Sequence, residues 1–306
     1  MGLFVAAKPS IDQVGLIGCG TMGRCMLKSM IEKGYKVTAY DVFEAAAEKA
    51  KALGANTVKM PAEVAEVSDV ILMSLPGPIQ LEEVIFGENG IASKISAGKV
   101  LVDLSTVDPG TTKKIAERLE PSTGAAYLDC PVLGRPSATG KWMLPSGGSA
   151  EALNYVKPVL KCFASDAILV GNHGAGNALK LLNQMMFSCI NAISSEVLAI
   201  APHVGIDPKV FYDTVASSSA ATVSGLFKEV GKFITTDDYS HPAFTVDLLI
   251  KDTKLALQMA KDADAPSVIA GNVQLYNEIA HADGLGDQDT SALYKIFCKH
   301  YEREEK

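Results

Sequence analysis

The sequence predicts an α/β fold: a doubly wound, mostly parallel sheet followed by an all-helical C-terminal domain joined to it by a long helix. Three observations predict it. Short apolar runs alternate with helical patterns up to about residue 170, a glycine-rich turn follows the first run directly, and after Gly176 only long helical patterns remain.

The strands are read as Val14–Ile17, Lys36–Tyr40, Val70–Leu75, Val100–Leu104, Ala126–Cys130, Trp142–Leu144 and Ile168–Val170. Segments between them, such as Glu44–Leu53 and Thr111–Leu119, carry helix formers and break at Gly or Pro, as crossover helices do. A helix from about Asn177 to His203 comes next, roughly 40 Å long at 1.5 Å per residue, with Pro202 ending or kinking it. Its apolar residues are not confined to one stripe, which marks a connecting spine buried by both domains or by a partner subunit. Helices at about Pro208–Ser217, Ser224–Phe233, Val246–Asp262, Ser267–His281 and Thr290–Glu304 complete the second half.

The chain has 306 residues, 48% of them hydrophobic, enough for two ordinary domains with sizeable cores. Its 28 basic and 35 acidic residues leave a net charge of −7, with no block of like charge beyond the short terminal run Glu302-Arg303-Glu304-Glu305-Lys306, so nucleic acid is excluded as the expected partner. No stretch approaches the roughly 18 consecutive apolar residues of a membrane span. The most apolar region, Lys180 to Glu196, is interrupted by Asn183, Gln184, Ser188, Asn191, Ser194 and Ser195. The N-terminus lacks a basic region ahead of an apolar core, and Ala6 stands where a myristoylation signal needs Ser or Thr. Six scattered cysteines without a C-x-x-C pair point to reduced thiols and a cytoplasmic location, and five histidines without ligand spacing give a metal site no support.

Gly18-Cys19-Gly20-Thr21-Met22-Gly23 is a G-x-G-x-x-G turn between a strand and a helix, where backbone amides and the positive helix end face a pyrophosphate. Asp41, at the end of the second strand, is placed to accept hydrogen bonds from adenosine ribose hydroxyls and to repel a 2′-phosphate. Together these predict a Rossmann domain that prefers NAD(H) to NADP(H). The alternatives are a turn that is tight only for packing and an acidic residue that merely closes a strand. Leu75-Pro76 and Ser105-Thr106 end two further strands at the ligand-binding edge. Thr106 is placed to reach the nicotinamide end or the substrate, and Ser105 equally to cap the helix starting near Pro109. The domains are then residues 1–10, a mobile extension; 11–174, dinucleotide-binding; and 175–306, a helical substrate and oligomerisation domain.

Lys180, Asn183 and Gln184 share one helical face in an otherwise apolar segment. A lysine buried there loses hydration, which lowers its pKa toward the range useful for proton transfer; the bland alternative is a lysine snorkelling at a helix start. His173 either touches substrate or is an exposed loop residue. Cys130, lacking an evident base, reads as a packed thiol.

The Gly18–Gly23 loop, Asp103-Leu104-Ser105-Thr106, Asp129-Cys130-Pro131-Val132, the G-x-x-G-x-G-x-x-x-K-x-x-N segment ending at Asn183, Lys251-Asp252 and Gly284–Ala292 together resemble the β-hydroxyacid dehydrogenase family, over about Val14 to Ala292. The family includes 3-hydroxyisobutyrate dehydrogenase, tartronate semialdehyde reductase and sulfolactaldehyde reductase. The resemblance implies an NAD-dependent oxidoreductase acting on a short anionic hydroxy acid and its semialdehyde. It makes Lys180 the general acid/base, Asn183 or Gln184 its partner, and Lys251 a neighbour of nicotinamide and substrate, with homodimers or homotetramers formed through the helical domain. Six-phosphogluconate dehydrogenases share the fold but have a much longer helical portion, which disfavours decarboxylation. An imine reductase on the same fold and a noncatalytic dinucleotide-binding scaffold are the alternatives, and both usually lack the lysine.

The family's substrate loop, usually D-x-P-V-S-G-G-x-x-x-A-x-x-G, departs here: Leu133 replaces Ser, Arg135 replaces the second Gly, and the stretch before Gly140 is shorter by about two residues. Gly134-Arg135-Pro136-Ser137-Ala138 resembles the G-R-T-S-A stretch of sulfolactaldehyde reductases. Leu133, Gly134, Arg135 and Ser137 are therefore the substrate-binding candidates, with Arg135 as anchor for a carboxylate, sulfonate or phosphonate. Alternatively Arg135 reaches a cofactor phosphate or faces solvent. Trp142, the single tryptophan, walls the pocket or belongs to the core.

Overall fold

The computed structural model describes residues 4–7, 10–218, 225–239 and 241–301. Contacts group the chain into two compact units, Met1–Lys180 and Leu181–Lys306. By contacts the division falls at Lys180, inside a helix whose start is bonded to the sheet of the first unit.

The first unit holds strands β1 (Gln13–Ile17), β2 (Lys36–Tyr40), β3 (Asn56–Thr57), β4 (Val70–Met73), β5 (Val100–Asp103), β6 (Ala126–Asp129), β7 (Trp142–Gly148) and β8 (Ala164–Gly171). Its helices are α1 (Thr21–Glu32), α2 (Glu44–Ala52), α3 (Pro61–Val67), α4 (Pro78–Phe86), α5 (Pro109–Thr123) and α6 (Ala150–Leu160). One sheet runs β3-β2-β1-β4-β5-β6-β7-β8, parallel except between β6 and β7, and its order reverses between β1 and β4. Alternate strand residues feed opposite faces. Leu16, Leu72, Val102 and Leu128 pack with Met26 and Leu27 of α1 and Val156 of α6, while Ile17, Ile71, Leu101 and Tyr127 pack with Val64 of α3, Leu81 of α4 and Ile115 of α5. Burial on both faces is why these strands read as continuous apolar runs.

The differences from the sequence reading have local causes. β7 and β8 run longer than their apolar runs because they pair with each other along their length, through Ser146 and Asp166 as well as apolar residues. Two-residue β3 has no apolar run to announce it. α5 passes through Pro121, which forgoes one amide bond in the last turn, and stops at left-handed Gly124. Residues 4–7, read as part of a mobile extension, pack on the unit instead: Phe4 lies 5.8 Å from the Tyr155 ring, and the Ala7 amide donates to the Gly98 carbonyl at 3.0 Å.

The spine helix α7 (Ala175–Ile200) gives way to a 3-10 turn at Ala201–Val204, which contains Pro202. Among the described residues, Ala175–Val204 is the one stretch whose length and hydropathy would allow it to cross a membrane. Two of its polar residues are nevertheless bonded within the second unit: Asn277 Nδ2 donates to Ser188 Oγ at 3.0 Å, and Asn191 Nδ2 to the Thr290 carbonyl at 2.9 Å.

The second unit continues with α8 (Pro208–Ser217), α9 (Gly225–Thr236), α10 (Val246–Asp262), α11 (Val268–Ala280) and α12 (Leu293–Tyr301). The expected helix start at Ser224, the end at Glu304 and the terminal charge run lie outside the described residues. Leu198, Val230, Ile234, Val246, Leu293, Ile296 and Phe297 form its core. The Gly284–Ala292 motif clasps α10 to α12. Buried Asp289 accepts from the Ser291 amide and hydroxyl, while the Gln288 and Gly286 carbonyls accept from Val246 and Asp247 amides.

His173 is neither exposed nor free to meet a ligand. Its Nε2 lies 3.0 Å from the Tyr127 carbonyl and 3.3 Å from Glu120 Oε1, with 11% of its side chain accessible. Burial lowers its pKa, but the hydrogen bond to Glu120 and that residue's charge outweigh burial and hold it above the ordinary histidine value. Burial likewise raises Glu120, yet His173 and the Tyr127 amide bring it below the ordinary glutamate value. Both signs favour the charged pair. The histidine's contribution is complete below about pH 6.5 and fades as pH rises through its raised value; the glutamate's is complete above about pH 4.3 and fades as pH falls through its lowered value. His173→Asn should therefore cost about 1 kcal/mol in urea unfolding near pH 5.5 and clearly less near pH 8.5. An equal loss at both pH values would contradict the pairing.

Candidate active site

The carboxyl ends of β1 and β4 close on a loop that only glycine permits. Gly18 has a φ of +92°, and a Cβ there would collide with the Ser74 carbonyl oxygen; one at Gly23 would strike the Gly18 carbonyl oxygen. Gly20 is the N-cap of α1, which has no side-chain cap and no acidic residue in its first turn. Nothing lies within 4 Å of where a Gly20 Cβ would stand. The leading amides around Thr21 and Met22 thus keep their positive potential over open space, which fits a pyrophosphate.

Asp41 is fixed beside this loop rather than trailing into solvent. Its Oδ2 accepts from the Cys19 amide at 2.7 Å and its Oδ1 from the Phe43 amide at 2.9 Å. Burial, with Asp41's charge adding, pushes the Cys19 thiol up to about 12, so it is inert. Arg24 Nη1 donates to the Cys19 carbonyl at 2.8 Å, a brace the sequence reading did not single out.

At the next strand ends, Ser105 Oγ accepts from the Leu75 amide at 2.9 Å and ties β4 to β5. It does not cap α5; Asp108 does, accepting from the Thr111 amide at 2.8 Å. Pro76 is exposed, and Thr106 is half-buried between β5 and α5. Burial lifts the Asp103 carboxyl to about 7, although the Ser105 amide and the Tyr127 hydroxyl both donate to it.

The loop after β6 continues the β6–β7 pairing beyond the sheet. The register set by Asp129 opposite Gly147 extends to a bridge between half-buried Leu133 and Met143. Gly134 is exposed, and Ser137 is exposed on the short turn Pro136–Ala138. Arg135 is half-buried, with both terminal guanidinium nitrogens shielded from solvent. Trp142 is fully buried, 6.1 Å from the Phe163 ring, and so belongs to the core rather than to a pocket wall. Cys130 is also buried, which raises its thiol pKa.

Asp129, fully buried at the end of β6, caps the spine helix. Its Oδ1 accepts from the Gly174 amide and its Oδ2 from the Asn177 amide, both at 2.9 Å. Asn177 in turn accepts from the Val107 amide at 3.2 Å and donates to Thr112 Oγ1 at 3.1 Å. Lys180 follows on the same helix, 9% exposed. In the second unit, Gln184 Nε2 donates to Asp252 Oδ2 at 2.7 Å, and Asp252 Oδ1 pairs with Lys251 Nζ at 2.8 Å. Asn183 is exposed and reaches Gln184 only at 3.4 Å. The two amides therefore differ: Gln184 is committed to Asp252, while Asn183 faces outward. Asp129, Asn177 and Asp252 escaped the sequence reading as positioning residues, although Asp129 and Asp252 stand in the motifs that carried the resemblance.

The profile for the NAD-binding domain of 6-phosphogluconate dehydrogenase matches residues 13–171, and the one described as NAD-binding of NADP-dependent 3-hydroxyisobutyrate dehydrogenase matches 174–297. The chain is 32% identical to 2-(hydroxymethyl)glutarate dehydrogenase of Eubacterium barkeri, covering 93% of this chain and 94% of that protein. It is 33% identical to 3-sulfolactaldehyde reductase of Escherichia coli K12, covering 92% and 94%, and 30% identical to human mitochondrial 3-hydroxyisobutyrate dehydrogenase, covering 92% and 86%. The crystal structure of 3-hydroxyisobutyrate dehydrogenase from Salmonella typhimurium superposes with a TM-score of 0.85 at 28% identity, over 93% of this chain and 99% of that one. An imine reductase from Pseudomonas sp., at 21% identity and a TM-score of 0.61 over 93% and 98% of the two chains, shares the fold alone. With both halves matched and the glycine-rich loop and the Lys180 helix in place, the chain belongs to the β-hydroxyacid dehydrogenase family.

Proposed function

We propose that the protein interconverts a short anionic hydroxy acid, either a 3-hydroxy acid or a hydroxysulfonate, and its semialdehyde, using NAD(H). The observation that carries this reading is Lys180: an amine with 9% exposure on a helix whose start is anchored to the ligand-binding edge of the sheet by Asp129. Gly18, Cys19, Gly20, Thr21 and Met22 would hold the pyrophosphate. Asp41 would accept from the adenosine ribose, and its negative charge, fixed by two amides, disfavours a 2′-phosphate. Leu75, Pro76 and Thr106 would line the path toward the nicotinamide, and Lys251, held by Asp252, would serve its far end and the substrate. The bound dinucleotide supplies or accepts the hydride.

Lys180 gives a proton to the carbonyl oxygen in reduction and takes it from the hydroxyl in oxidation. Asn183 contacts the substrate, while Gln184 acts through Asp252 as a positioning residue. Arg135 binds the anionic group with its planar fork, and Leu133, Gly134 and Ser137 shape the space around it. The small anionic substrate is the only ligand required besides the dinucleotide; neither a metal, a nucleic acid nor a membrane enters the reading. Exposed apolar residues on the second unit, among them Met186, Val268, Ile269 and Leu275, support a homodimer or homotetramer. The six cysteines, none of them joined in a disulfide among the described residues, support a cytoplasmic setting.

Lys180→Met should lower kcat by about 10²–10⁴-fold while NADH still binds with its wild-type Kd. Loss of NADH binding instead would make the lysine structural. Arg135→Ala should raise KM for an anionic semialdehyde about tenfold or more and change kcat little. An unchanged KM would refute the anchor.

A further inference from the structure

A tryptophan, Trp142, stands at the first position of β7, directly after the loop that departs from the family pattern. Its ring is in the core, against Phe163, yet its one polar atom is not spent there. Trp142 Nε1 donates to the backbone carbonyl of Arg135, seven positions earlier in the chain, at 2.7 Å. The same carbonyl accepts from the Ala138 amide at 2.9 Å.

The neighbours are built around this bond. Leu133 and Met143 exchange backbone hydrogen bonds at 3.0 and 3.4 Å, so the register sets Gly134 directly opposite Trp142. Gly134 has a φ of +156°, and a Cβ there would collide with the indole ring. The chain therefore crosses the indole with no side chain and turns immediately into Arg135. On its other side Trp142 is held too, since Ser165 Oγ donates to its carbonyl at 2.8 Å, and the Gly140 amide at the loop's far end donates to the Phe163 carbonyl at 2.8 Å. Thr139 Oγ1 closes the turn on the Pro136 carbonyl at 2.6 Å. A rigid core ring thus fixes the peptide from which the guanidinium departs.

We propose that Trp142 is a specificity-positioning residue: its indole N–H fixes the Arg135 backbone and so aims the guanidinium at the substrate's anionic group. This rests on Arg135 being the anion anchor. An aromatic platform with a directed donor costs little conformational entropy to hold in place, and a planar cation that must meet a carboxylate or sulfonate in register gains most from a fixed base. Phenylalanine keeps an aromatic ring in the core while removing the donor and part of the indole's volume.

The test compares wild type, Trp142→Phe and Arg135→Ala with NADH and two aldehydes of equal length, one carrying a sulfonate or carboxylate and one uncharged. Trp142→Phe should raise KM for the anionic aldehyde by about five- to tenfold, the scale of one hydrogen bond, with kcat within about threefold and KM for the uncharged aldehyde unchanged. Arg135→Ala should raise the same KM at least as far. If Arg135→Ala raises it and Trp142→Phe does not, or if Trp142→Phe raises both KM values alike, the positioning role is overturned while the anchor stands. If Arg135→Ala leaves KM unchanged, the anchor fails and the positioning role with it. Because Trp142 is the single tryptophan, wild-type fluorescence gives a readout that needs neither turnover nor a folded Trp142 variant. Titrating the NAD⁺-loaded protein with 2-hydroxyethanesulfonate or 3-hydroxypropionate should give a saturable change in tryptophan emission that Arg135→Ala abolishes. No change in the wild type, or an equal change in Arg135→Ala, would overturn the proposal.

Discussion

One buried carboxylate connects the sheet to the helix that carries Lys180. Asp129 ends β6, and its two oxygens accept the Gly174 and Asn177 amides, so the first turn of α7 is bonded to the carboxyl edge of the sheet. Amide bonds to an ionised group contribute about 1.5–3 kcal/mol each, and leaving either amide buried and unmet would cost a similar amount. Burial works against this by raising the Asp129 pKa, and the two amides recover only part of the shift. The constraint propagates along the helix. With Asn177 bonded to Val107 and Thr112, the direction of the next turn, and therefore of Lys180, is set before any ligand arrives.

Much of the first unit was legible because its strands are buried on both faces and its turns are punctuated by glycine. β2 matches its apolar run to the residue, and Gly18 stands where the left-handed turn is needed. What escaped was paired rather than patterned. β3 exists because Thr38 and Ala39 offer it a partner, and the outer halves of β7 and β8 exist because each completes the other. In the second unit α8 and α10 keep the bounds expected of them, and Asp207 and Thr245 cap them through their side chains.

The residues proposed for the site stand out in the sequence more clearly than the contacts that support them. Lys180, Asn183 and Gln184 could be placed on one face by helical spacing, but spacing alone treats the two amides alike. Only the contact with Asp252, 68 positions away, separates them. His173 sits among glycines, which in a sequence suggests exposure; its pairing with Glu120 and Tyr127 depends on how α5 and β6 pack. The same holds for Trp142, whose polar atom finds its partner only once the loop has doubled back.

The family shares its fold with imine reductases, and fold likeness at 21% identity does not choose between a carbonyl and an imine. A buried lysine on a pre-set helix and an arginine in the loop beyond β6 favour a carbonyl next to an anionic group. The most direct test is initial-rate measurement of NADH and NADPH oxidation over short aldehydes of one length bearing carboxylate, sulfonate, phosphonate or no charge, with a cyclic imine alongside. The account predicts turnover with NADH on at least one anionic aldehyde, in preference to NADPH and to the uncharged aldehyde. Turnover of the imine with none on any aldehyde would contradict it.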